Sequence, residues 1–179
     1  SLSWDEIEKG INEIPAAAEG TLWLPYLNGE RTPHRNPNAR GVLYGLSSMS
    51  DERHVFRAVM EGITYGLRDS FELVKAATPV KRVLLVGGGA KNATWRRMVA
   101  ANVKAPVSIP LVDEGGAYGA AMLAALGGGV SLDEVKGWIK IRETVEPDSE
   151  ESAAYDRVYP QFRALYADLK ERFDATAGM

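Results

Sequence analysis

Apolar residues recur three or four positions apart from Val55 through Val59, Ile63, Leu67 and Phe71 to Val74, while Glu52, Arg53, Arg57 and Arg68 fall largely elsewhere. That period predicts one long amphipathic helix over 51–77, closed by Pro79. Gly62 and Gly66 lie inside it, each at a cost of up to about 1 kcal/mol relative to alanine. Two glycines about one turn apart therefore predict close approach of a neighbouring backbone. Upstream, Ser3 followed by Glu6 has the spacing of a capping box and opens a helix that fades near Pro15. Residues 21–24 have strand character, 25–40 form a polar loop with several prolines, and 42–44 make a short strand.

Beyond the long helix, a β-branched and apolar run at 82–86 stops at three consecutive glycines, Gly87, Gly88 and Gly89. A helix is expected from about 92 to 103, then a strand at 106–109. Residues 114–125 are almost wholly small and predict a helix that packs tightly against a sheet or another helix. A short helix at 132–138, a segment at 141–145 and an amphipathic helix over 149–173 complete the order. Long helices alternating with three or four short strands define an α/β arrangement, a short sheet flanked by long helices.

The glycine turn is the feature that carries chemistry. Glycine permits positive φ and lets a ligand approach where a Cβ would stand. The helix that follows offers unpaired N–H groups and a partial positive charge, so strand, turn and helix suit a flat or anionic ligand such as a nucleotide. Tight packing explains such a turn equally well. Asn92 suits the N-cap of that helix.

Charge and composition narrow the classes. Twenty-one basic against 24 acidic side chains leave a net charge of −3, and no basic cluster is interleaved with aromatics, which argues against a nucleic-acid partner. With 45% apolar residues the chain can bury a core as one domain or a large piece of one. It has no cysteine, so disulfides and thiolate metal sites are excluded. The small-apolar stretch 117–126 is too short to span a bilayer, and no secretory leader opens the chain, so a cytoplasmic protein away from membranes is expected. His34 and His54 have no metal-ligand spacing and no carboxylate companion at helical pitch, so no metal site of protein ligands is expected. Glu61 reads as an ion-pair or packing partner rather than a catalyst, Arg96 and Arg97 as a solvated face, and Trp4 as a half-buried anchor of the first helix. The 29–34 loop fits either a functional role or a proline-ordered surface.

Gly41-Val-Leu43-Tyr-Gly45-Leu46, followed by His54-Val55, Ala58, Val59, Met60 and Glu61, resembles the second signature of the FGGY family of carbohydrate kinases. Trp23 to His34 is similar to the loop typical of the family's bacterial xylulose kinases. Val86 to Arg96 resembles its adenosine motif, Gly116 to Ala121 its small-residue helix, and Tyr159 to Leu169 its last helix. The resemblance implies two actin-like, ribonuclease H-like domains with ATP in the cleft between them. It implies that Gly88, Gly89 and Ala90 lie against adenosine or the α-phosphate, and that Asn92 contacts adenine or its sugar.

Mg²⁺ would ride on ATP, ligated mainly by groups outside this chain. The family's catalytic aspartate and its phosphate loop have no counterpart here, so no catalytic residue is expected. Residues 1–179 then correspond to an incomplete C-terminal domain, with its first strands and the whole N-terminal domain absent, and alone should transfer no phosphate. The implied reaction converts ATP and D-xylulose to ADP and D-xylulose 5-phosphate, with glycerol, gluconate, ribulose, rhamnulose and fuculose as alternative acceptors. Ala101 stands where the family commonly has aspartate, and Lys104 where it usually has glycine. In another class, a dinucleotide-binding oxidoreductase would need a third glycine where Asn92 stands and an acid about twenty residues on, and has neither. A reading without chemistry makes the small-residue helices a homodimer contact.

Overall fold

The computed structural model describes residues 3–80, 82–112 and 115–178, and the side chain of Trp4 lies outside that set, as does Glu114 at the expected start of the small-residue helix. Helix α1 (Trp4–Glu13) begins as its capping residues dictate: the Ser3 hydroxyl accepts from the Glu6 N–H, and the Glu6 carboxylate accepts from the Ser3 N–H at 2.7 Å. A 3-10 turn at Ala18–Gly20 leads into strand β1 (Leu22–Leu24), which pairs antiparallel with β2 (Val42–Tyr44).

Helix α2 (Glu52–Ala77) lies across β1. Gly62 makes this possible. A Cβ there would stand 2.1 Å from the Trp23 carbonyl oxygen, a distance no side chain can occupy. Gly66 does not share the role, because a Cβ at that position would meet only Pro25 Cγ at 3.8 Å, an ordinary contact. The expectation of close approach therefore holds for one glycine of the two.

Strand β3 (Val83–Leu84), helix α3 (Ala93–Val103), strand β4 (Val107–Pro110), helices α4 (Gly115–Gly127) and α5 (Leu132–Gly137), strand β5 (Ile141–Val145) and helix α6 (Ser149–Thr176) complete the chain. The second sheet runs β3-β4-β5, its first pair parallel and its second antiparallel. The Leu85 N–H still donates to the Ser108 carbonyl, but Gly87 at φ 89° then turns the backbone away, so β3 is shorter than its apolar run.

Two apolar cores result. One joins α1, β1, α2, α3 and α6 through residues such as Leu24, Tyr65, Met98, Tyr155 and Phe162. The other joins the glycine turn, α3 and β4 through Ala90, Val99, Val103, Val107 and Ile109. Helix α3 contributes to both. Ala101, where the family commonly has aspartate, sits fully buried in the first core, where an aspartate would be desolvated.

Helix α4 departs from expectation. None of its described residues is buried, Leu123 is 70% exposed, and its neighbour is the short α5. Small residues make close packing possible, but they do not supply the partner. Among the described residues no helix is long and apolar enough to cross a membrane.

Candidate functional site

Gly87 reverses the chain after β3, and Gly88–Lys91 wind through one 3-10 turn, closed by the Ala90 N–H to the Gly87 carbonyl at 3.0 Å and the Asn92 N–H to the Gly89 carbonyl at 3.1 Å. Asn92 is extended and caps α3, its Oδ1 accepting from the Trp95 N–H at 2.7 Å. The capping role is thus realised. It satisfies one orphan donor of the helix and leaves the first turn's remaining N–H groups and dipole beside the glycines.

The sequence-predicted residues are brought together but face differently. Gly88 is exposed, and a Cβ there would find no heavy atom within 4 Å, so the turn is open above it. Gly89 is also exposed, with the edge of Trp95 beneath it; a Cβ would stand 3.0 Å from Trp95 Nε1. Ala90 is 1% exposed and packs its methyl into the second core, so any ligand contact it makes comes from the backbone.

Arg96 was read as part of a solvated face, and the structure corrects this. Its Nη1 donates to the Ala90 carbonyl at 2.9 Å and to the Lys91 carbonyl at 3.3 Å, while Nη2 approaches Glu143 of β5 at 3.4 Å, with the side chain only 13% exposed. Arg96 therefore ties the back of the turn to the sheet. A sequence signal exists, since an arginine in a helix's first turn opposes the dipole and needs another reason to be there. Arg97 stays exposed and donates to Asn12 Oδ1 at 2.8 Å.

The other candidates fall elsewhere. Glu61 is buried and accepts from Arg57 Nε at 2.6 Å and the Ala17 N–H at 3.0 Å; Arg57 also donates to the Ile11 and Ile14 carbonyls. Burial pushes the Glu61 carboxyl up to about 7 although Arg57 pulls the other way. This pair clamps α1 to α2 and belongs to the fold, as expected for Glu61.

His54 does have carboxylate companions, contrary to the sequence reading. Its Nδ1 lies 2.8 Å from Asp51 Oδ1 in a reciprocal cap of α2, and Nε2 lies 3.3 Å from Glu19. An aspartate cap with histidine at the third position is not the serine-glutamate pattern, which is why it escaped notice. His34 stacks on Tyr166 at 3.6 Å between centroids, and Glu30 and Asn36 exchange backbone hydrogen bonds, so the 29–34 loop is pinned to α6. Among the described residues no group of three or more His, Cys, Asp or Glu is placed to hold a metal.

Comparison with known proteins puts this geometry in context. Residues 3–128 match the family model for the C-terminal domain of the FGGY family of carbohydrate kinases. The chain is 38% identical over 173 residues to the xylulose kinase of Bacillus subtilis (strain 168), covering 94% of this chain and 35% of that protein. Among solved structures it resembles the ligand-bound xylulose kinase of Lactobacillus acidophilus, with a TM-score of 0.88 and 27% identity over 97% of this chain and 36% of that one. It resembles the gluconate kinase of the same organism to a similar degree, with a TM-score of 0.87, 27% identity and the same two coverages. The chain thus spans about a third of the length of these relatives.

Proposed function

The chain belongs to the FGGY family of carbohydrate kinases, and from that premise we propose that it supplies the nucleoside seat of an ATP-dependent sugar kinase. The observation that carries the reading is the open face at Gly88, on a glycine turn that delivers directly into a capped helix N-terminus. Gly88 and Gly89 offer main chain to the adenosine or α-phosphate, Ala90 contributes backbone alone, and Asn92 borders the seat from the cap. Mg²⁺ accompanies the phosphates, and the protein groups that hold it belong to polypeptide beyond this chain. The position of α4, with no buried residue, and of β3, paired on one side among the described residues, supports reading residues 1–179 as a C-terminal part that packs against further strands.

Phosphoryl transfer depends on positioning and electrostatics around the γ-phosphate. This chain offers a platform for the nucleoside end. The sugar acceptor is best read as D-xylulose, from the similarity of Trp23 to His34 and of the whole chain to xylulose kinases. Gluconate is the nearest rival, since a gluconate kinase is almost as similar in structure.

Titration with ATP and ADP should raise the melting temperature in proportion to RT ln(1 + [L]/Kd), while NAD(H) should not. Gly88→Val places a branched side chain in the open space and should weaken ATP by at least about tenfold, about 1.4 kcal/mol, without lowering the melting temperature of the free protein. ATP affinity unchanged within about twofold would remove the seat from Gly88. Comparison of ADP release driven by D-xylulose and by D-gluconate, in the polypeptide that carries this chain, decides the acceptor.

A further inference from the structure

Lys104 caps the C-terminus of α3 at φ 52° and ψ 44°, the left-handed conformation that glycine normally fills. A lysine there carries backbone strain that a glycine would not. What it gains is position. Its ammonium donates to Asp156 Oδ2 at 3.0 Å, and the other oxygen of that carboxylate accepts from Arg68 Nη2 at 2.6 Å.

Lys104 and Arg68 border a cavity of about 430 Å³ among α2, α6, the end of α3 and Pro33, with no lining residue from the glycine turn. Four cations, Arg68, Lys75, Lys104 and Arg163, line it against two carboxylates, Asp69 and Glu72. Arg68 is 7% exposed, stacks its guanidinium over the Tyr159 ring at 4.1 Å, and leaves Nε and Nη1 without a hydrogen-bond partner. Asp69 is 6% exposed; its Oδ1 accepts from the Tyr159 hydroxyl and faces Arg163 Nε at 3.5 Å, and its Oδ2 has no partner. Buried donors and an acceptor left unpaired in this way cost stability unless a further polar group or water reaches them.

We propose that this cavity is a binding site for a small phosphorylated polyol. Its phosphate dianion sits among Lys104, Arg163 and Lys75, competing with their present partners Asp156, Asp69 and Glu72; with Arg68 the cluster holds four cations against three carboxylates. Its hydroxyls donate to Glu72 and Asp69, and Arg68 supplies donors at the floor. The site is separate from the nucleoside seat and does not depend on that reading.

Isothermal titration of the chain with glycerol 3-phosphate, inorganic phosphate and glycerol tests the assignment. The ester should bind saturably and more tightly than inorganic phosphate, glycerol should not bind, and affinity should fall as NaCl is raised. Lys104→Gly relieves the left-handed strain, so it should hold or raise the melting temperature while weakening the ester at least about tenfold. Arg163→Gln, on an exposed side chain, should weaken it as well without altering the melting temperature. Absence of saturable heat with the ester at about 10 mM, equal binding of glycerol, or undiminished affinity in Lys104→Gly overturns the proposal. Inorganic phosphate binding as tightly as the ester overturns the polyol part and leaves a site for the free anion.

Discussion

Gly62 in α2 and Gly88 after β3 are the same residue for opposite reasons. At Gly62 the space of a side chain is already filled by the Trp23 carbonyl, so the glycine lets helix and strand touch. At Gly88 that space is empty and solvent-facing, so packing within the chain does not require the glycine. Absence of a Cβ says nothing about function until its surroundings are known. An occupied vacancy belongs to the fold, whereas an open one, which Gly116 and Gly119 of α4 share with Gly88, is only available to a partner.

The contrast is sharpened most by filling both positions. Gly62→Ala should cost roughly 4 kcal/mol, at the top of the range for single substitutions, because neither carbonyl nor helix can move without parting β1 from α2. Denaturant unfolding measures this, and a loss under about 1 kcal/mol would erase the distinction drawn here.

The neighbouring Glu61 gives the packed region a pH signature. Burial pushes its carboxyl up to about 7 against the opposing pull of Arg57, so the folded state holds the proton more tightly than the unfolded chain does. Its contribution is full below about 4.5 and is lost as pH rises through about 7, so the protein should lose stability across that window. Unfolding curves of the protein and of Glu61→Gln across that window should therefore converge or cross. Parallel curves would mean that Arg57 keeps the carboxylate ionised throughout.

Asn92→Ala, which removes the α3 cap without touching either core, should cost about 1 kcal/mol in the same measurement. Gly88→Ala should be neutral or stabilising by up to about 0.5 kcal/mol, since its φ is not left-handed and its Cβ meets nothing. A cost comparable to that at Gly62 would show Gly88 to be a packing glycine after all.

Much of this was legible from local chemistry. Ser3 with Glu6, Asn92 before an apolar-periodic run, and the 3.6-residue repeat of α2 each act through neighbours in the sequence, and each element formed where its signal lay. The turn at Gly87–Gly89 was legible for the same reason, since positive φ is a local demand. What failed was anything decided by a distant partner. Gly66 looks like Gly62 on paper, but β1 passes beneath only one of them. Arg96 folds back on the Ala90 carbonyl because a 3-10 turn leaves acceptors there, which charge pattern alone does not reveal. Residues 115–127 are apolar enough for a core, yet an apolar face is buried only where another element meets it. Ala90 was grouped with its glycine neighbours by motif, while its methyl answers to Val99 and Val107 instead.

Helix α3 stands in both cores, and its first turn is the rim of the glycine shelf. The rim is therefore anchored in both apolar cores, with Arg96 bracing it from behind. In the proposed nucleoside seat, a ligand would meet a surface already shaped by folding, and little of the binding free energy would go into ordering the loop.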